Sequence, residues 1–292
     1  HAFLPELVVG LTVTWRNLDR IHDERPRIRL PDGSERAITA ADYVREGNIE
    51  GELLGGSISG GPGGPYSVPT FALRDEYAFT GGDLLINGSR ERDYLGAALT
   101  FTKRLTRQWM LRGYFNYGQA EWDVPESYLQ NNDPNRDRLG ALDGELFVQG
   151  AGGRGARYLQ SSWSANLNGL YQVAPTRSWG YNLSANDNAR EGYVLPYFRF
   201  HTPSDRFTRD YLLVDDFDDY RLDDVFVTDL RIEKEFNLQG PMNLTFGIDA
   251  FNVTNEGTEQ SRAIDLSTAN TYWLLDNISP RIYRLGVRLS WR

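Results

Sequence analysis

The stretch Asp224–Asn255, DVFVTDLRIEKEFNLQGPMNLTFGIDAFNVTN, decides the fold. Phe226, Thr228, Leu230, Ile232 and Phe236 share one parity, while Val225, Val227, Asp229, Arg231, Glu233 and Glu235 share the other. After the segment Asn237–Pro241 (NLQGP) the alternation resumes, with Leu244, Phe246, Ile248 and Ala250 set against Asn243, Thr245, Gly247 and Asp249. A period of two means β-strand, and a Gly-Pro turn between two such runs predicts an antiparallel hairpin. One face carries ionised groups and the other is apolar. A soluble sandwich would hide the apolar face in its core, whereas a transmembrane barrel would turn it to lipid.

The same alternation recurs on both sides of this hairpin. Leu7, Val9, Leu11, Val13 and Trp15 mark a first strand; Leu95, Ala97, Leu99 and Phe101 a second; Trp109, Leu111, Gly113, Phe115 and Tyr117 a third. Trp163, Ala165, Leu167, Gly169 and Tyr171 mark a fourth, and Trp179, Tyr181, Leu183 and Ala185 a fifth. After the sixth and seventh strands of the opening hairpin, Tyr283, Leu285, Val287, Leu289 and Trp291 mark an eighth. Short connections near Lys103–Arg107, Ala174–Arg177 and Asn237–Pro241 alternate with polar ones of about 75, 40, 35 and 24 residues. A compact soluble domain rarely carries several structureless connections longer than about 15 residues. Strict short-long alternation sends every long connection to one end, as in outer-membrane barrels. The glycine-rich Gly55–Tyr66 (GGSISGGPGGPY) lies in the first long connection; it lacks a phosphate-loop ending and a dinucleotide-binding setting, and reads as a mobile loop.

Composition narrows the function. The 292 residues contain no cysteine, which excludes disulfides and thiolate metal sites, and a net charge of -9 fits a nucleic-acid-binding surface poorly. No apolar run is long enough for a transmembrane helix, which says nothing against strands. No signal peptide is legible at the start, and an initial His1 reads as a processed chain or a fragment. Trp109, Trp163, Trp179, Tyr283 and Trp291, with Tyr117 and Tyr171, fall near strand ends on the apolar parity. Repeated there, they read as interfacial girdles, although a single such ring would fit a soluble core equally well. Arg112, Arg231, Glu233, Asp249, Arg284 and Arg288 occupy the opposite parity, where a wet lumen spares them unpaired burial.

Three segments resemble the C-terminal part of TonB-dependent outer-membrane receptor barrels, in the Oar-like branch with a carboxypeptidase-regulatory-like N-terminal domain. They are Tyr94–Gly118 (YLGAALTFTKRLTRQWMLRGYFNYG), Tyr220–Asn255 with its Asp249–Asn255 ending (DAFNVTN), and Ser279–Trp291 (SPRIYRLGVRLSW). The resemblance implies a 22-stranded barrel around a plug, with a TonB box upstream. The chain is then expected to be all-β: residues 1–292 form the C-terminal, roughly eight-stranded arc of such a barrel, without a plug domain. It would be either a fragment or a split subunit. The long loops would be extracellular, and the short turns and C-terminus periplasmic. Expected partners are outer-membrane lipid, the remaining wall and plug from upstream sequence or a second chain, TonB, and other outer-membrane proteins.

No enzyme chemistry emerges: there is no G-x-S-x-G elbow, and His1, His22 and His201 lack metal-site spacing. The run Leu213–Asp224 holds Asp215, Asp216, Asp218 and Asp219, which could supply oxygen ligands to calcium, but its spacing does not match an EF-hand. Solvated loop is the plainer reading. Asn131–Asp137 is a weaker candidate of the same kind, since Asn, Asp and Pro at that density are turn formers. The leading expectation is ligand uptake by plug displacement, with no cofactor. The alternatives are a structural barrel subunit without transport, and a surface β-rich binding module.

Overall fold

The computed structural model describes residues 6–20, 22–87, 91–123, 144–145, 149–150, 157–158, 161–205, 210–215, 219–238 and 240–291. Among them is one large antiparallel sheet. Its strands are β1 (Leu7–Leu18), β2 (Glu91–Thr106), β3 (Trp109–Asp123), β4 (Trp163–Val173), β5 (Tyr181–Arg190), β6 (Val225–Asn237), β7 (Met242–Phe251) and β8 (Ile282–Trp291). Spatial order follows chain order throughout, and the two-residue strand Gly144–Glu145 adds to the end of β3. The eight expected strands are therefore present. The sheet stays open: β1 bonds only to β2, β8 only to β7, and they do not pair with each other.

The short connections are tight for local reasons. Between β2 and β3, Arg107 and Gln108 carry φ of 49° and 76°. Two left-handed residues in a two-residue loop give the twist that antiparallel strands need. Between β4 and β5, Gly180 is required, because a Cβ there would lie 2.2 Å from the Ala174 carbonyl oxygen. Trp179, expected on the strand, lies in this turn instead, since β5 begins at Tyr181.

The long connections are not structureless, which corrects the sequence expectation. The first contains His22–Arg29 paired with both Glu35–Ala37 and Ala78–Asn87, and a separate hairpin of Tyr43–Leu53 with Gly64–Leu73. The third contains the pair Phe198–His201 and Asp210–Leu213; the fourth contains Glu259–Arg262 and Leu274–Asn277. Leu53 and Val68 from the first, Leu195, Tyr197, Leu212, Val214, Tyr220 and Leu222 from the third, and Ile264 from the fourth pack into one apolar core. A smaller core joins Ile28, Ile38, Tyr43 and Leu73.

Gly55–Tyr66 is likewise an ordered hairpin end, which overturns the mobile-loop reading. Ser59 is fully buried, and its carbonyl accepts a hydrogen bond of 3.0 Å from the Tyr197 hydroxyl. A Cβ at Gly61 would lie 2.3 Å from the Tyr220 ring, and one at Gly60 would lie 2.5 Å from the Arg221 carbonyl oxygen. Glycine serves close approach here.

Candidate functional site

The ionised parity of β6, β7 and β8 builds a connected patch on one face of the sheet. Register places Arg231 opposite Asp249, and Asp249 opposite Arg284, so three strands bring one carboxylate between two guanidinium groups. Arg231 Nη1 lies 2.9 Å from Asp249 Oδ1, and Arg284 Nε lies 2.9 Å from Oδ2. Arg231 also donates to Glu233 through Nη2 at 2.5 Å and Nε at 3.2 Å. Gly247 leaves room for this, since a Cβ there would sit 3.0 Å from Arg231 Nη2. Asp249 is 5% exposed and satisfied on both oxygens, which is how a buried carboxylate stays charged.

Of the six residues assigned to this face, Arg231, Glu233, Asp249 and Arg284 are thus brought together. Arg112 and Arg288 are not; both are exposed, without a hydrogen bond or ion pair among the described residues. Arg112 instead lines a depression of about 390 Å³ with Asn168, Asn186, Asp229, Arg231 and Asp249.

Asn168, Asn186 and Asp229 of that depression belong to a hydrogen-bonded chain that extends beyond it to Asn166 and Asn188. Asn166 Nδ2 donates to Asn186 Oδ1 at 3.1 Å and to Asn188 Oδ1 at 2.6 Å, and Asn168 Nδ2 donates to Asn166 Oδ1. Asn186 continues to Asp229 at 3.4 Å. The sequence reading did not single out these asparagines, yet the signal was available: they recur at period two on β4 and β5. Together these groups form a polar, hydrogen-bonding floor without a nucleophile–base pair.

The opposite face is apolar and exposed. Leu285 is 79% exposed, Trp291 75%, and Leu11 and Trp15 each 70%. Trp109 pairs with Tyr171, and Tyr117 with Trp163, so aromatics bracket the same nine-residue span on two adjacent strands. Tyr283 and Trp291 bracket a third such span on β8. Trp163 is half-buried, stacked on Phe115 at 6.4 Å and tilted against Phe226 at 6.1 Å.

Charges also occur on this apolar parity: Asp187 accepts from the Thr228 hydroxyl at 2.6 Å, and two lysines lie near the short turns. Lys103 lies opposite Leu7, and Lys234 opposite Phe246. Each folds its amine onto a short turn: Lys103 donates to the carbonyls of Thr106 at 3.2 Å and Trp109 at 3.0 Å, and Lys234 to those of Ser178 and Gly180. Long stems on the apolar surface with their heads on the turn are a snorkelling arrangement.

Of the acidic run, Asp216 and Asp218 lie outside the described residues, as does all of Asn131–Asp137. Asp215 and Asp219 are exposed beside Tyr220, whose hydroxyl is pushed up first by burial and then by Asp215. Among the described residues no group of three or more His, Asp or Glu side chains could hold a metal ion. His201 faces Glu46 at 3.2 Å, joining the third connection to the first.

No helix among the described residues is long and apolar enough to cross a membrane, which says nothing of strands. No protein-family model, curated protein or solved structure matches the chain.

Proposed function

We propose that the eight-stranded sheet is part of the wall of a transmembrane β-barrel in an outer membrane, and that the chain serves ligand uptake through that barrel. The observation that carries this reading is an inversion of burial: apolar side chains of the sheet are exposed, while Asp249 and Thr245 on the other face are buried. An apolar face of this extent would drive association in water, whereas lipid is its natural solvent. The nine-residue spans between aromatics match the roughly 9–11 residues of a tilted membrane-crossing strand.

The unpaired outer edges of β1 and β8 cannot remain bare in hydrocarbon, where each unsatisfied backbone group costs several kcal/mol. The wall therefore continues into strands outside these eight, supplied by upstream sequence or a second chain. The polar face with its asparagine floor lines the lumen, the long connections are extracellular, and the short turns are periplasmic. By the resemblance to TonB-dependent receptors, uptake proceeds by displacement of a plug supplied elsewhere, with TonB transmitting the energy and no covalent step.

Cell fractionation tests the location: the protein is expected with the outer membrane, released only by detergent. Recovery as a soluble protein contradicts the reading. Loss of energised ligand uptake on removing the chain supports transport; an intact assembly with unchanged uptake would leave it a structural role.

A further inference from the structure

We infer that the short-turn rim is a binding surface for the phosphate headgroups of anionic phospholipids, formed by Arg104, Arg107 and Arg177 beside Trp109 and Trp179. This rests on the reading that the apolar face lies in a bilayer. The chain carries a net charge of -9, yet residues 103–109 and 173–182 contain four basic residues and no Asp or Glu. These two turns are neighbours: Trp109 pairs with Tyr171, and the Gln172 N–H donates to the Gln108 carbonyl at 2.7 Å.

The lysines of this rim are already engaged by turn carbonyls, but the arginines are not. Arg104, Arg107 and Arg177 are exposed, and none has a side-chain hydrogen bond or ion pair among the described residues. Glu6, the acid nearest in register, meets Arg104 only through its backbone carbonyl, at 2.8 Å from the Arg104 nitrogen. Glu233 and Glu235 line a depression with Arg177, but they belong to the polar parity of β6. Arg177 borders that depression from its turn, and the exposed Trp109 and Trp179 stand at the same rim as the three arginines. A planar guanidinium binds phosphate through paired hydrogen bonds, and indole rings favour the depth of the headgroups. Arg107 also holds a left-handed φ of 49°, a conformation that Asn or Gly adopts more readily. The arginine is thus carried against the preference of the turn.

The test is native mass spectrometry of the detergent-extracted assembly, titrated with phosphatidylglycerol and phosphatidylcholine of equal chain length. Each basic side chain near an anionic surface favours it roughly fivefold. Phosphatidylglycerol should be retained at least about tenfold better than phosphatidylcholine, with the preference reduced in 0.5 M salt. The triple variant R104Q/R107Q/R177Q should lose it, and the corresponding lysine variant should keep most of it. If the glutamine variant fails to assemble, salt sensitivity of the unaltered protein decides the matter. Equal retention of both lipids by an assembly that needs detergent overturns this inference and leaves the membrane reading standing. Full displacement by inorganic phosphate at matched concentration also overturns it, as a plain anion site. A protein that needs no detergent and retains neither lipid overturns both.

Discussion

The eight-stranded sheet and the long connections obey opposite rules of burial. All of the described buried hydrophobic residues except Val225 lie outside the eight strands, in ordinary apolar cores such as Leu53–Val68–Tyr197–Leu212–Ile264. The sheet does the reverse, exposing Leu285 and Trp15 while covering Asp249 with two arginines. The described residues thus fall into two regions with opposite patterns of burial. A protein folded for water alone would have no reason to invert one of them, because burying apolar area is the main favourable contribution to folding there.

The contrast can be broken most strongly in the connections. Leu212→Ala, at a fully buried position, should cost about 2–5 kcal/mol. Hydrogen exchange should locate the damage in residues 193–222 while β2 to β5 keep their protection; uniform loosening of the sheet would show that the two regions are not separate. In the sheet, Leu285→Arg should cost about 2–4 kcal/mol in a bilayer, falling toward the interface, and Ser290→Arg on the polar parity much less. On a water-exposed surface both would fall within about 0.5 kcal/mol of the original. Folded yields of the two variants in bilayers separate these cases.

Acid distinguishes the regions more gently. Asp42 ends a single 3-10 turn, Ala40–Asp42, reaches back to its N-cap Thr39, and accepts from Arg36 at 2.5 and 2.7 Å and from the Thr39 N–H at 2.7 Å. Burial works against its charge, but the donors of Arg36 and Thr39 outweigh this and hold its carboxyl below the ordinary value. A depressed carboxyl contributes stability above its unfolded pKa, and that stability is lost as pH falls through the folded value. Exchange protection of residues 36–43 should therefore be flat from pH 8 to 5 and fall only below about pH 4. Asp42→Asn should remove that dependence at a cost of about 1 kcal/mol, the partial exposure of Arg36 limiting the effect. A change of similar size but opposite sign is a gain: Arg107→Asn with Gln108→Gly relieves two left-handed non-glycine residues and should stabilise the β2–β3 hairpin by about 1 kcal/mol in thermal unfolding.

The two regions also differ in how much of them can be read from sequence. Strand parity is local, so Leu7–Trp15 or Tyr283–Trp291 announces its two faces without knowledge of its neighbours. Even the Arg231–Asp249–Arg284 contact follows once the hairpin register is known. The connection core has no such signature. Leu53, Tyr197 and Ile264 meet from three separate connections, and no period links them. Gly55–Tyr66 misled for a related reason: glycine that permits close approach to Tyr220 is spelled like glycine that permits motion. Lys234 is instructive in the other direction. It breaks the apolar parity in sequence, and only the turn carbonyls of Ser178 and Gly180 explain why it is tolerated.

If the sheet spans a membrane as proposed, its apolar face meets lipid and its ionised face meets water. The sequence has no cysteine, so single cysteines introduced along β8 can be labelled without background. In native membranes, a water-soluble thiol reagent should reach positions 284, 286, 288 and 290 and spare 285, 287 and 289, with labelling of the second set restored by detergent. Uniform labelling along the strand, or an alternation of the opposite phase, would contradict the account.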